Sequence, residues 1–122
     1  MGTVVRGIRG AITVERNESQ QILEATQELL EKIVQENHLD TEDICSAFFT
    51  VTQDLDTEFP AKAARALGWT SVPLMCTSEV NVAGALPKCI RVLIHINTGR
   101  SQSEIKHVYL GRAVQLRPDL VG

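Results

Sequence analysis

Between residues 4 and 14, in the run VVRGIRGAITV, Val4, Ile8, Ile12 and Val14 occupy even positions, and Val5, Gly7, Arg9, Ala11 and Thr13 occupy odd ones. A period of two predicts a strand with one apolar face. Arg9 then stands among small neighbours, which leaves room above the sheet for a ligand, although strand glycines serve equally for a bulge or for close packing of another backbone. Arg6 falls on the apolar parity with no reason visible in the sequence. From Asn17 the period changes. Ile22, Leu23, Thr26, Leu29, Leu30, Ile33 and Val34 form one helical stripe running to about Asn37, and Asn17 with Gln20 resembles a capping box at its start. Glu24, Glu28, Glu31, Lys32 and Glu36 read as its solvated face, with Glu28 and Lys32 at a helix-supporting spacing. His38 reads as the residue that closes it.

The segment CSAFFTVT at 45–52 has strand propensity, and Gln53 to Glu58 is an acidic connection. Pro60 then opens AKAARALG, with Gly68 as a stop, which predicts a second, shorter helix. Ser71 to Thr77 is extended. CIRVLIHIN at 89–97 is the clearest strand, with Ile90, Val92, Ile94 and Ile96 on one face and Cys89, Arg91, Leu93 and His95 on the other. The remaining residues mix a short helical turn with an extended end. Strand, helix, strand, helix, strand, strand and a tail predict an α+β fold, a mixed β-sheet with helices packed on one face. Such a sheet has another face and two edges to cover, and in small proteins oligomerisation commonly covers them, so grooves between subunits are candidate sites.

Composition narrows the chemistry. The 122 residues fit one domain spanning 1–122, and the 43% hydrophobic content supplies a core without disulfides or a structural metal. Twelve Lys+Arg against fifteen Asp+Glu give a net charge of −3, which argues against nucleic acid as a partner. Three cysteines, Cys45, Cys76 and Cys89, lack close pair spacing and fit free thiols. With no apolar run near the ~20 residues that span a bilayer, a reducing cytoplasm is the expected compartment. Eight arginines outnumber four lysines, and arginine forks suit carboxylates.

His38, His95 and His107 have no nucleophile-elbow pattern near Ser or Cys, and Gly7-Ile8-Arg9-Gly10 lacks phosphate-loop or dinucleotide spacing. Neither an organic cofactor nor a metal is expected. The exceptional feature is Arg91 inside an apolar strand, with Arg9 on the small-residue face of another and with Glu79 and Tyr109 as candidate polar partners. A half-buried strand turning Arg91 to water accounts for its position equally well.

The blocks Val5-Arg6-Gly7-Ile8-Arg9-Gly10-Ala11, Phe59-Pro60-Ala61-Lys62-Ala63-Ala64-Arg65, Lys88-Cys89-Ile90-Arg91-Val92, His107-Val108-Tyr109-Leu110 and Leu116-Arg117-Pro118-Asp119-Leu120 cover nearly the whole chain in one order. Through them the sequence resembles the small, monofunctional, trimeric chorismate mutases. That resemblance implies a chorismate-mutase-like, ferredoxin-related subunit in a homotrimer of pseudo-barrel appearance, whose three interface clefts rearrange chorismate to prephenate for phenylalanine and tyrosine biosynthesis. It further implies that one subunit supplies Phe59, Leu74, Met75, Cys76, Thr77, Ser78 and Glu79, and the neighbour supplies Arg9, Arg91, Tyr109 and Leu116. In the family the arginine matching Arg91 faces the ether oxygen and a carboxylate, the equivalents of Arg9 and Tyr109 hold the substrate, and those of Glu79 and Cys76 contact the ring hydroxyl. Lys62, Arg65 and Arg117 are implied to lie nearer the rim.

The implied reaction is unimolecular and pericyclic: a carbon–oxygen bond breaks as a carbon–carbon bond forms. It formally needs no nucleophile, base or metal, so fixed cations and shape complementarity suffice. Two rivals remain at this point. One is a small trimeric protein that hydrolyses imines while an arginine holds a carboxylate; the other is a regulatory module whose interface binds a carboxylate.

Overall fold

The alternations in the sequence become a five-stranded mixed sheet with two helices on one side. The computed structural model describes residues 2–116, in the order β1 (Val4–Thr13), α1 (Ser19–Asn37), β2 (Ile44–Val51), α2 (Ala61–Ala66), β3 (Leu74–Ser78), β4 (Cys89–Thr98) and β5 (Val108–Tyr109). Arg117 and the rest of the last sequence block lie outside the described residues. Spatially the strands run β3-β2-β4-β1-β5. β4 is antiparallel to both β1 and β2, whereas β2–β3 and β1–β5 are parallel. β1, α1 and β2 thus form a split unit with β4 inserted between its parallel strands. The ferredoxin-type likeness is confined to that unit, because α2 leads to β3 outside β2 and the tail adds β5 beside β1.

Period-two positions build the helix-covered side. Ile8, Ile12, Phe49, Ile90, Val92, Ile94 and Ile96 are buried in one cluster with Ile22, Leu29, Leu30 and Ile33 of α1. Gly10 shares this side of β1, where a Cβ would stand 2.7 Å from Ile33 Cδ1 and 3.2 Å from both Leu29 Cδ1 and Val92 Cγ1. Absence of a side chain there lets the helix approach the strand. Buried Asn37 fixes the far end of α1, its side chain donating to Ile33 O and Lys106 O and accepting from the Lys106 N–H.

Local differences from the sequence reading have physical reasons. Asn17 does not cap α1, whose N-cap is Glu18 with no side-chain capping bond. Its amide instead donates to Asp56 Oδ1 at 2.7 Å and accepts from the Asp56 N–H and the Thr57 hydroxyl, fastening the acidic connection. Lys32 pairs with Glu36 at 3.8 Å rather than with Glu28. β3 begins at Leu74 and not at Ser71, since Pro73 has no N–H to give a ladder and contributes only its carbonyl, to the Ala47 N–H. Arg6 finds its reason in a long-range bond, Nε donating to Arg100 O at 3.1 Å. Cys89 takes the parity opposite the core yet is buried, because Ala11, Tyr109 and Ala113 close over it as a small second cluster. His38 ends α1 in a left-handed conformation, φ 50°, with its N–H donating to Val34 O.

Candidate active site

The side of the sheet away from the helices is organised by register. One row of cross-strand neighbours reads Thr77, Thr50, Arg91, Ala11 and Tyr109, from β3 through β2, β4 and β1 to β5. The next row reads Met75, Phe48, Leu93 and Arg9. Both arginines of the sequence reading therefore stand on one uncovered face, one in a polar row and one at the end of an apolar row. Ala11 between Arg91 and Tyr109 supplies the gap that small residues of β1 were expected to leave.

A cavity of about 370 Å³ opens over these rows, lined by Arg9, Phe48, Thr50, Glu79, Arg91, Leu93, Tyr109 and Leu116 among others. Its size is that of a small-ligand site. Glu79 follows β3 directly, and its N–H donates to Val51 O at 2.9 Å, which sets the side chain beside the polar row. Thr50 Oγ1 donates to Glu79 Oε2, and Arg91 Nε lies 3.7 Å from the same oxygen. Arg91 is about half exposed (47%) and Glu79 is 24% exposed. Two guanidinium groups against one carboxylate leave the cavity cationic, suited to an anion with more than one acidic group.

Neighbouring residues hold these groups in place. The Arg9 N–H donates to His107 Nδ1 at 2.9 Å, so His107 serves the backbone of β1. Tyr109 is buried against Ala11, with Leu116 packed on the same cluster. Gly111 turns the chain toward Leu116 at φ 60°, and Thr13 Oγ1, only 2.9 Å from where a Cβ would sit, accepts the Arg112 N–H. Before β4, Lys88 takes φ 51° and its N–H donates to the Asp54 carboxylate, fixing where the strand begins. Burial pushes the Cys89 thiol up from its ordinary pKa, against the opposing pull of the Arg91 charge. His95 Nδ1 lies 3.1 Å from Ser46 Oγ, and its ring meets Phe48 edge-on at 5.9 Å, a cross-strand support for the apolar row.

Among the other residues of the expected site, Thr77 and Met75 end the two rows on the edge strand β3. Phe59, Cys76, Thr77 and Ser78 line a second concavity of about 360 Å³ together with Leu55, Glu58 and Pro60. Phe59 is 68% exposed. The Glu58 carboxyl is held below its ordinary pKa by the Phe59 N–H, then by the Ser19 hydroxyl and by Lys62 at 3.4 Å. Cys76 pairs with Phe49 and Leu74 with Ala47, so both pack toward the helix-side core, while Met75 shares the uncovered face with Phe48. Arg65 is exposed on α2. Glu79, which the resemblance groups with Phe59 and Cys76, lies beside Arg91 of its own chain, because β2 and β4 are adjacent and Glu79 is anchored to β2. Sequence reasoning missed Phe48, Thr50 and Leu93. The alternation of β2 was a signal for the first two, but which side the helices cover was not readable from that strand alone.

An α+β chain whose uncovered sheet face presents two arginines and a glutamate offers a site suited to the class of compact polyanions. Its relatives narrow this class. The family model of chorismate mutase type I matches residues 5–120. The chain is 51% identical over 118 residues to a chorismate mutase of Bacillus subtilis, covering 96% of this chain and 93% of that one. It is also 51% identical to a chorismate mutase of Thermus thermophilus, covering 96% and 97%. A solved chorismate mutase from Clostridium thermocellum superposes with a TM-score of 0.87 at 52% identity, over 88% of this chain and 96% of that chain. The chain belongs to the type I chorismate mutase family, and is an isomerase rather than an imine hydrolase or a regulatory module.

Proposed function

We propose that this chain rearranges chorismate to prephenate, for phenylalanine and tyrosine biosynthesis, over its uncovered sheet face, and that Arg91 carries the electrostatic part of the catalysis. The observation that carries this reading is Arg91 itself, a half-exposed guanidinium in the middle of an apolar strand, facing a cationic cavity of small-ligand size. The substrate has two carboxylates and reacts only from a compact conformer, so binding must fold it as well as hold it. Arg9, with Tyr109 beside it, holds a carboxylate through a charge-assisted fork. As the ether bond breaks, negative charge grows on its oxygen, and a guanidinium fixed there stabilises the transition state more than the ground state. Glu79 accepts the ring hydroxyl. An analogue lacking that hydroxyl leaves a half-buried acceptor unpaired and is disfavoured. No step requires a covalent intermediate, a metal or an organic cofactor.

In this reading the single domain of 1–122 works as a cytoplasmic homotrimer of pseudo-barrel form. Arg9, Glu79, Arg91, Tyr109 and Leu116 of one copy face Phe59, Cys76, Thr77 and Ser78 of the next, with Leu74 and Met75 on the strand behind them. Cys76 is then a packing and hydrogen-bonding wall. Apolar side chains left exposed on one chain support the oligomer: Phe59, Met75 at 58%, and Leu93 and Phe48 beside the arginines. In this reading Lys62 and Arg65 lie toward the rim.

Chorismate consumption without added cofactor or metal, with prephenate identified as the product, tests the activity; a folded protein that leaves chorismate intact refutes it. The shared cleft is tested by mixing inactive Phe59→Asp and Arg91→Ala proteins under conditions of subunit exchange. A mixed trimer contains a cleft with both residues intact, so activity returns; exchange without recovery refutes the shared site. Glu79→Ala and Arg91→Ala, which damage the same half, do not complement.

A further inference from the structure

The row that carries Arg91 contains a polar side chain without a part in the reaction as described. Thr50 lies at the middle of the uncovered face, directly opposite Arg91 on one side and Thr77 on the other. Its hydroxyl donates to Glu79 Oε2, the oxygen that Arg91 Nε approaches only to 3.7 Å. That separation exceeds a hydrogen bond, so the directional contact on Glu79 is the hydroxyl and the guanidinium supplies charge. Strand propensity alone does not ask for a threonine here; valine has the same shape and occupies the next position, Val51.

We infer that Thr50 is a positioning residue that sets the Glu79 carboxylate and, through it, the preference for a substrate bearing a ring hydroxyl; this rests on the chorismate reading of the cleft. A free glutamate side chain samples many rotamers and loses entropy when it must be ordered by the ligand. Threonine is β-branched and stiff at χ1, so a hydroxyl fixed on β2 orders Glu79 before the substrate arrives. The Thr50 and Arg91 contacts both fall on Oε2, and a carboxylate oxygen pair has acceptor capacity to spare, which leaves Oε1 for the substrate hydroxyl. Because the hydroxyl supplies the bond to Glu79, that carboxylate is oriented without a hydrogen bond from Arg91 Nε.

The test compares Thr50→Val, Thr50→Ser, Glu79→Gln and the double variant Thr50→Val/Glu79→Gln in chorismate turnover. Inhibition by a dicarboxylate analogue lacking the ring hydroxyl is measured alongside. Removing one hydrogen bond to a charged group predicts a fall of about 10-fold in kcat/KM for Thr50→Val, with Thr50→Ser within about 3-fold of the unmutated protein. In the Glu79→Gln background the same Thr50→Val change costs less than about 2-fold, because the two residues act as one unit. The inhibition constant of the hydroxyl-free analogue stays constant across the Thr50 variants. The inference is overturned by unchanged kcat/KM in Thr50→Val, by an equal loss in the Glu79→Gln background, by failure of serine to restore turnover, or by weakening of the analogue in parallel. Absence of turnover in the unmutated protein overturns the chorismate reading instead, so the two failures are distinguished.

Discussion

Leu93 and Ile94 are adjacent in β4 and equally apolar, yet Ile94 is fully buried and Leu93 is 38% exposed. The difference is parity alone: Ile94 points toward α1, and Leu93 stands between Phe48 and Arg9 on the uncovered face. The same division separates Val92 from Arg91 and Phe49 from Phe48. On the helix side Ile8, Ile12, Phe49, Ile90, Val92, Ile94 and Ile96 pack as one cluster, with Gly10 left bare for α1 to approach. On the other side the rows mix arginine, threonine and alanine with apolar side chains that the chain itself leaves exposed. One face therefore supplies folding energy, and the other carries charge and shape for a ligand and a neighbouring copy.

Four substitutions break or sharpen this contrast. Phe49→Ala opens a cavity in the helix-side core and is expected to lower stability by about 3–5 kcal/mol in urea denaturation. A loss below about 1 kcal/mol would show that this side is not the stabilising one. Arg9→Ala on the opposite face is expected to leave the denaturation midpoint nearly unchanged and to raise KM about 10-fold or more, since a charge-assisted bond to a carboxylate is worth about 1.5–3 kcal/mol. Its kcat falls less, because that carboxylate is already charged in the ground state. The smallest test compares two glycines of β1. Gly10→Val pushes into Ile33, Leu29 and Val92 and should cost about 1–3 kcal/mol by overpacking. Gly7→Ala, whose Cβ meets only Leu93 Cδ1 at 3.5 Å, should change stability by about 0.5 kcal/mol or less.

The long strands and α1 were legible in the sequence because each has one strongly periodic face, as with Ile90, Val92, Ile94 and Ile96; α2 was marked by Pro60 and Gly68, and β5 is too short to show a period. The arginines were legible for a related reason: Arg91 interrupts an apolar strand at the parity where no core residue belongs. Phe48, Thr50 and Leu93 were not, because alternation says that a strand has two faces without saying which one the helices cover. The partnership of Glu79 with Arg91 depends on β2 and β4 being neighbours, a non-local pairing that no spacing along the chain reveals. Asn17 looked like a cap because its side chain suits that role, but the bonds offered by Asp56 and Thr57 are formed by a loop about 40 residues away.

The central claim is that Arg91 acts on charge that develops during the reaction. The most direct measurement is steady-state kinetics of folded Arg91→Ala, with Arg91→Lys beside it. Loss of a donor aimed at a developing anion predicts a fall in kcat equivalent to at least about 3–4 kcal/mol, far exceeding any rise in KM. Lysine keeps the charge without the planar fork and should recover only part of the loss. A folded Arg91→Ala protein that assembles like the unmutated chain and turns chorismate over with near-normal kcat would contradict the account.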